Sequence, residues 1–361
     1  MGNHRDTGIV VYGATGYTGR LVVDYMNRQY GVDGEINWAM AGRNLDKLKS
    51  VQDELGIDSR IELIVADMGD KASLKSMVER ASVILTTVGP YQLYGSELVA
   101  ACASAGTDYL DLCGEPAWMK KMIDEHSAAA QNSGARIIFS CGFDSIPFDL
   151  GVFFLQQTAI ARMAKTVSRV KGRVRQMRGS FSGGTLASFN ATMAAAAKDS
   201  QIIEALKDPF ALTGGFVGPS QPKGNKPFFD ETIQSWVAPF IMASINTKNI
   251  HRSNLLLSHQ YGEDFVYDEM LVTGPGDEGE ALANSVANSS GLGDAKLLPG
   301  EGPTATERAE GGFDILIIGE SDDGREVRIG VTGDCDPGYC STSKMFAESG
   351  VPKLLGRAPE G

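Results

Sequence analysis

No run in this 361-residue chain approaches 18 apolar residues, so no segment reads as a membrane-spanning helix. There is no Cys-x-x-Cys and the four His form no cluster, so no metal site is expected. The five Cys (Cys102, Cys113, Cys141, Cys335 and Cys340) are an odd number, which suits a reducing compartment. The first residues lack the apolar stretch of a secretory signal. The chain is therefore expected in the cytoplasm or peripherally at a membrane or lipid surface, and not secreted. Positive charge is also short, with 33 Lys and Arg against 45 Asp and Glu and a net charge of −12. Such a surface does not release counterions from a phosphate backbone, and a general nucleic-acid binder is excluded. Ser145 has no surrounding Gly-x-Ser-x-Gly, which argues against an acyl-transfer nucleophile.

What is present is globular in proportion, 42% hydrophobic and 22% charged, and long enough for two domains. The charge is unevenly spread. Residues 1–150 hold 13 basic and 20 acidic groups, residues 151–260 hold 13 and 5, and residues 261–361 hold 7 and 20. A basic middle lies between two acidic ends.

Short apolar runs at 8–12, 36–41, 61–66, 83–88, 109–112 and 136–140 alternate with stretches of helical spacing. That alternation reads as βαβ units building a doubly wound parallel sheet, an α/β fold. After about residue 150 the pattern changes. Residues 149–164 read as a helix and 166–178 as a strand, and Gly183-Gly184 precedes another helix. Residues 208–230 read as a loop. Residues 313–319 and 326–332 flank Asp322-Asp323-Gly324, a hairpin signal. This half reads as an α+β domain on a mostly antiparallel sheet, with 275–311 a polar surface excursion. The expected division is a nucleotide-binding domain over 1–148, a substrate or dimerisation domain over 149–335, and a segment over 336–361 returning to the first.

The first strand runs into Gly13-Ala14-Thr15-Gly16-Tyr17-Thr18-Gly19 and then a helix. Gly13 permits the tight turn, Gly16 lets backbone approach a pyrophosphate, and Gly19 lets the helix pack close to the strand. The helix N-terminus offers unpaired N–H groups to the phosphates. The second strand ends Gly42-Arg43-Asn44 with no acid for a ribose 2′-hydroxyl, since Glu35 precedes that strand. Arg43, with Asn44 beside it, stands where a 2′-phosphate would lie, so NADP(H) is expected in preference to NAD(H). Asp67 ends strand three and either reaches the adenine or caps the next helix. Val88, Gly89 and Pro90 end strand four, near the expected nicotinamide ribose. Glu115 and Asp144, after strands five and six, are orienting groups or helix caps.

These residues carry a resemblance. Tyr12-Gly-Ala-Thr-Gly-Tyr-Thr-Gly, Ala41-Gly-Arg, Thr87-Val-Gly-Pro-Tyr, Asp111-Leu-Cys-Gly-Glu and Cys141-Gly-Phe-Asp-Ser-Ile-Pro resemble the saccharopine dehydrogenase-like oxidoreductases. Phe181-Ser-Gly-Gly-Thr, Ile245-Asn-Thr and Asp336-Pro-Gly-Tyr are similar to its branch of trans-acting enoyl reductases. The resemblance implies an NADP-binding Rossmann domain and reduction of a carbon–carbon double bond in a lipid or polyketide precursor of glycolipid synthesis. It also implies a further strand and helix beyond residues 341–355, whereas the sequence stops at Gly361, as a shortened variant or short of its natural end. It supplies no catalytic residue.

The basic middle contains Arg169, Lys171, Arg173 and Arg175 at alternate positions of a strand, on one face. They form either a solvated sheet face or a landing site for an acidic carrier protein or anionic headgroup. Ser182, Gly183, Gly184 and Thr185 open a helix as either a substrate-binding pocket of N–H groups or a simple cap. The apolar run 236–245 is either core or dimer contact, or a lipid or acyl-chain contact. Tyr91, Tyr94 and Glu115 are the candidate catalytic side chains, with packing as the alternative for the tyrosines. The expected partner is a small lipid or acyl substrate, free or carrier-bound. A saccharopine-type dehydrogenase needs a convergent Arg/Lys pocket, which the basic row supplies only if it faces the crevice. A non-catalytic lipid-associated protein is the remaining reading.

Overall fold

Apolar runs separated by amphipathic stretches have one efficient arrangement: strands side by side, helices on both faces. The computed structural model, which describes residues 5–180, 182–289 and 300–354, shows it. In order come β1 (Thr7–Tyr12), α1 (Tyr17–Tyr30), β2 (Trp38–Gly42), α2 (Leu45–Glu54), β3 (Glu62–Val65), α3 (Lys71–Arg80) and β4 (Ala81–Thr86). There follow α4 (Tyr91–Tyr94), α5 (Ser96–Ala105), β5 (Asp108–Leu110), α6 (Pro116–Ser133) and β6 (Ile137–Ile138). All pairs are parallel, in the order β3-β2-β1-β4-β5-β6. Val10, Ala39 and Ile84 pack on one face and Ile9, Val11 and Leu85 on the other, so neighbouring residues of one strand serve two cores. This is the order of a dinucleotide-binding sheet, whose ligands lie beyond the carboxyl ends of the strands.

The chain then crosses on α7 (Ile146–Met163) to a second sheet. Its elements are β7 (Arg169–Arg178), α8 (Gly183–Ala196), α9 (Ser200–Lys207), β8 (Phe228–Asp230), β9 (Ser235–Pro239), α10 (Ala243–Leu256) and β10 (Val266–Gly274). Then come α11 (Gly276–Asn288), α12 (Ala305–Ala309), β11 (Gly312–Glu320), β12 (Glu326–Gly333), a π-type turn at Pro337–Ser341 and α13 (Thr342–Leu354). The order is β12-β11-β7-β10-β9-β8, antiparallel except for the β7–β10 pair. Val170, Val174, Ile315 and Ile317 bury one face against Phe148, Val152 and Leu155 of α7. The final helix α13 returns to the first sheet, where Phe346, Ala347 and Val351 join its core. The last residues, 355–361, and Phe181 of the quoted motif lie outside the described residues.

Three expectations are corrected and one left open is decided. The stretch 275–311 is not merely an excursion. It contains α11, held by buried Ala283 against β9 and β10, with Asp277 and Glu278 in a first turn that favours acids. Its small apolar residues gave no strong period, and 290–299 lie outside the described residues. Cys335 and Cys340 are joined as a disulfide, because the π-type turn brings their Cα atoms to 5.9 Å. Cys102, Cys113 and Cys141 are buried thiols.

The basic row is not a free cationic face: each of its side chains already meets an acid, and only Arg175 is exposed. Arg173 is fully buried, its Nε 2.7 Å from Asp230 and its NH1 2.9 Å from Asp268. Arg169 pairs with Asp268, Lys171 with Glu320 and Thr232, and Arg175 with Asp314 at 2.7 Å. Burial alone would raise the Asp230 carboxyl, but Arg173 holds it below the ordinary value. The excess positive charge of the middle segment is thus met largely by acids of the final one. Finally, the apolar run 236–245 is mostly core: Val237 and Ala238 are wholly buried, and Phe240 and Ile245 nearly so. No helix of the described residues is long and apolar enough to cross a membrane.

Candidate active site

The glycine turn between β1 and α1 is shaped by what a side chain would strike. Gly13 has φ +92°, and a Cβ there would lie 2.6 Å from Thr87 Oγ1 and 2.8 Å from Val88 Cγ2. At Gly19 it would lie 2.1 Å from the Gly13 carbonyl oxygen, so helix and strand approach as closely as backbone allows. At Gly16, by contrast, it would meet only that same oxygen, at 3.4 Å. The outer side of Gly16 is open, and no side chain caps the first turn of α1. An open backbone cradle under a helix N-terminus fits a pyrophosphate.

At the end of β2, Arg43 is exposed and has no ion pair among the described residues. Asn44 is committed locally, its Oδ1 accepting from Lys47 N at 2.9 Å as the cap of α2. Asp67 accepts from Gly69 N at 2.8 Å, while the cap of α3 is Asp70. Asp67 and Arg43 both act on Tyr12, whose phenol burial pushes up to about 12; Asp67 adds to the shift and Arg43 opposes it. No carboxylate stands at the end of β2, which fits a 2′-phosphate better than a bare ribose.

Beyond the ends of β4, β5 and β6 lies a cleft of about 300 Å³. Thr18, Gly89, Glu115, Ser140 and Asp144 line one wall. Ser182, Thr185 and Ser188 of the α8 segment and Tyr339 of the π-type turn line the other. Phe189, Met193, Leu206, Ile241, Met242 and Ile245 give it an apolar end. No Arg or Lys is among the lining residues.

The candidate residues divide sharply here. Glu115 is buried and accepts from Tyr91 N at 2.9 Å and Gln92 N at 2.7 Å, so it closes the start of α4. Burial raises its pKa, against the lowering effect of those bonds. The Tyr91 hydroxyl donates to Thr86 O at 3.3 Å and accepts from Leu112 N at 3.1 Å, which ties β4 to β5. Tyr94 is 48% exposed and lies outside the cleft lining. Val88 N donates to Thr86 Oγ1, and a cis peptide joins Gly89 to Pro90. The α8 start is largely spoken for. Gly183 N donates to Glu301 O at 3.1 Å, Ser182 N to the Tyr339 hydroxyl, and Thr185 N to Ser182 Oγ. The expected pocket of open N–H groups is therefore mostly internal wiring.

Sequence reasoning missed the part played by Tyr339. Its hydroxyl lies 3.2 Å from Thr185 Oγ1, and its ring meets that of Tyr17 edge-on at 5.1 Å. Tyr17 in turn accepts from Arg308 at 2.9 Å and donates to Pro303 O, so the segment before β11 lies across the glycine loop. The Tyr17 hydroxyl contacts span 286 and 291 residues of chain and the Tyr339–Thr185 contact 154, and no local spacing could signal them. Asp111 was quoted only within a motif. It takes bonds from Ser140 N, Cys113 N and the Tyr109 hydroxyl, and burial raises it to about 7.

Comparison with known proteins follows this geometry. Residues 9–138 match the saccharopine dehydrogenase NADP-binding domain. A Mycobacterium tuberculosis protein that bears the name trans-acting enoyl reductase provisionally is 36% identical over 380 residues, covering 98% of this chain and 90% of that one. The trans-acting enoyl reductase of Mycobacterium ulcerans is 33% identical over 381 residues, with the same coverage. Among solved structures, saccharopine dehydrogenase from Saccharomyces cerevisiae is similar at 13% identity and a TM-score of 0.44, over 98% of this chain and 92% of that one. With full-length relatives above 30% identity and a matching nucleotide domain, the chain belongs to the trans-acting enoyl reductase branch of the saccharopine dehydrogenase-like family and is an NADP-dependent oxidoreductase.

Proposed function

We propose that this protein uses NADPH to reduce a carbon–carbon double bond in an acyl intermediate of lipid or polyketide origin, free or carrier-bound. The observation that carries this reading is the cleft: polar where it meets the nicotinamide side of the sheet, apolar along Phe189, Met193 and Ile245, and without a lining cation. An acyl thioester matches such a lining, with its reacting end among hydroxyls and its chain among apolar groups. A bound dihydronicotinamide supplies a hydride. The residues of the chain do the rest. Gly13, Ala14, Thr15, Gly16, Tyr17, Thr18 and Gly19 would hold the pyrophosphate. Arg43 and Asn44 would flank the 2′-phosphate and set the preference for NADP(H), and Asp67 would lie by the adenine. Val88, Gly89 and Pro90 would border the nicotinamide ribose, and Ser182 and Thr185 would orient the substrate.

The saccharopine-type alternative is weakened by the same cleft. An amino-acid imine with several carboxylates needs converging cations, and the basic row that might have supplied them is paired within the second sheet. The test is turnover with purified protein. Oxidation of NADPH with a medium-chain trans-2-enoyl thioester, giving the saturated thioester, is expected. Turnover only with a 2-oxo acid and an amine would overturn the reading.

A further inference from the structure

Reduction of an unsaturated bond by hydride requires a proton as well as a hydride, and most of the side chains first considered for that role are occupied. Glu115 is held by two N–H groups, the Tyr91 hydroxyl bridges two strands, and Tyr94 is outside the cleft. Asp144 differs. It follows β6 and immediately precedes the first turn of α7, where an acid is ordinarily a cap, yet the capping position is Ser145 and no side-chain cap bond forms. It lines the cleft beside Gly142, and its carboxyl makes no hydrogen bond or ion pair among the described residues. Asp144 is half-buried, and a carboxyl with no donor or cation bonded to it is displaced toward its protonated form.

We infer that Asp144 is the proton donor of this cleft, an unpaired carboxyl on its first wall that faces the substrate, with the Tyr339 hydroxyl on the opposite wall. Hydride addition to one carbon of the double bond sends the electron pair to the other carbon. The Asp144 O–H bond breaks, its proton forms the second C–H bond, and the carboxylate left behind is reprotonated by water. A bound dihydronicotinamide would supply the hydride and its electron pair and be left as the oxidised nicotinamide cation. The surroundings agree. Burial raises Asp144 to about 6, and no neighbouring charge contributes to the shift. The Tyr339 phenol is raised first by burial, and the charge of Asp144 adds to it. Other titratable groups lining the cleft are acidic or phenolic, Glu115, Tyr91 and Tyr339; behind the lining lie Asp336, the Arg308 guanidinium bonded to Tyr17, and the Lys248 ammonium, which donates to Leu206 O at 3.0 Å and Ser244 O at 2.7 Å. The facing helix α8 and residues 241–245 contribute no charged side chain.

This inference rests on the reductase reading but can fail separately from it. The carboxyl of Asp144 is followed by carbon-13 NMR in the cofactor-free protein, identified by its loss in Asp144→Asn. Titration near 6 is expected, and titration near 4 would overturn the inference. Turnover is measured with NADPH and two probes, a dodecenoyl thioester and a 2-oxo acid with an amine. On whichever probe turns over, Asp144→Asn is expected to slow kcat by about 100-fold or more. NADPH affinity and the melting temperature should be retained, and Asp144→Glu should recover part of the rate. The wild-type kcat should fall as pH rises through about 6, because the acid form is the active one, and Asp144→Asn should lose that step. An unchanged rate in Asp144→Asn would overturn the assignment. A protein that turned over neither probe would overturn the reductase reading and the proton-donor role together.

Discussion

The two sheets treat their polar groups in opposite ways. At the strand ends of the first, groups are left open: the backbone around Gly16, the Arg43 guanidinium and the Asp144 carboxyl lack partners among the described residues. In the second, Arg169, Lys171, Arg173 and Arg175 each meet an acid, and Arg173 meets two. An open group costs free energy that a ligand can recover, whereas a closed one holds the fold. The contrast teaches that a basic row is not a binding surface until its partners are counted. One exposed arginine without a partner is a better guide.

Substitutions can break this contrast, beginning with the largest expected effect. Arg173→Ala leaves Asp230 buried without its cation and Asp268 with Arg169 alone, and should cost about 3–5 kcal/mol in a urea melt, with NADPH affinity in the folded fraction unchanged. A loss of affinity without a loss of stability would mean that the row serves the site after all. Gly19→Ala forces a methyl against the Gly13 carbonyl and should cost about 1–3 kcal/mol while abolishing detectable NADPH binding by fluorescence titration. Arg43→Ala should leave the melt unaltered and weaken NADPH by about 10–100-fold, from the loss of charge-assisted bonds. NADH binding should hardly change; an equal loss for both cofactors would remove Arg43 from the phosphate. Smallest of all is Arg175→Ala. Its pair with Asp314 is half exposed, so the change should cost under about 1 kcal/mol although it lies two residues from Arg173.

Legibility followed the range of the interactions. The parallel sheet and its glycine turn were readable because their causes are local. Short continuous apolar runs fix strands buried on both faces, and three glycines at one turn fix how closely backbone can approach. The basic strand was also correctly read as a strand with its charges on one face. Its environment was not, because Asp268, Asp314 and Glu320 lie some 95 to 150 residues away along the chain. Tyr339 was hidden for the same reason: its partners Ser182 and Thr185 are separated from it by 157 and 154 residues. Asp144 stood within a quoted motif, but a cap and an acid look alike in sequence. Only the missing hydrogen bond separates them.

The account's central claim is tested most directly by following the hydride itself. Purified protein would be incubated with NADPH deuterated at the transferable C4 position and a medium-chain trans-2-enoyl thioester, and the product examined by mass spectrometry and NMR. The account predicts a saturated thioester carrying one deuterium at the carbon that received the hydride, with the second new hydrogen drawn from water. Recovery of the unsaturated thioester with NADPH unoxidised would contradict it.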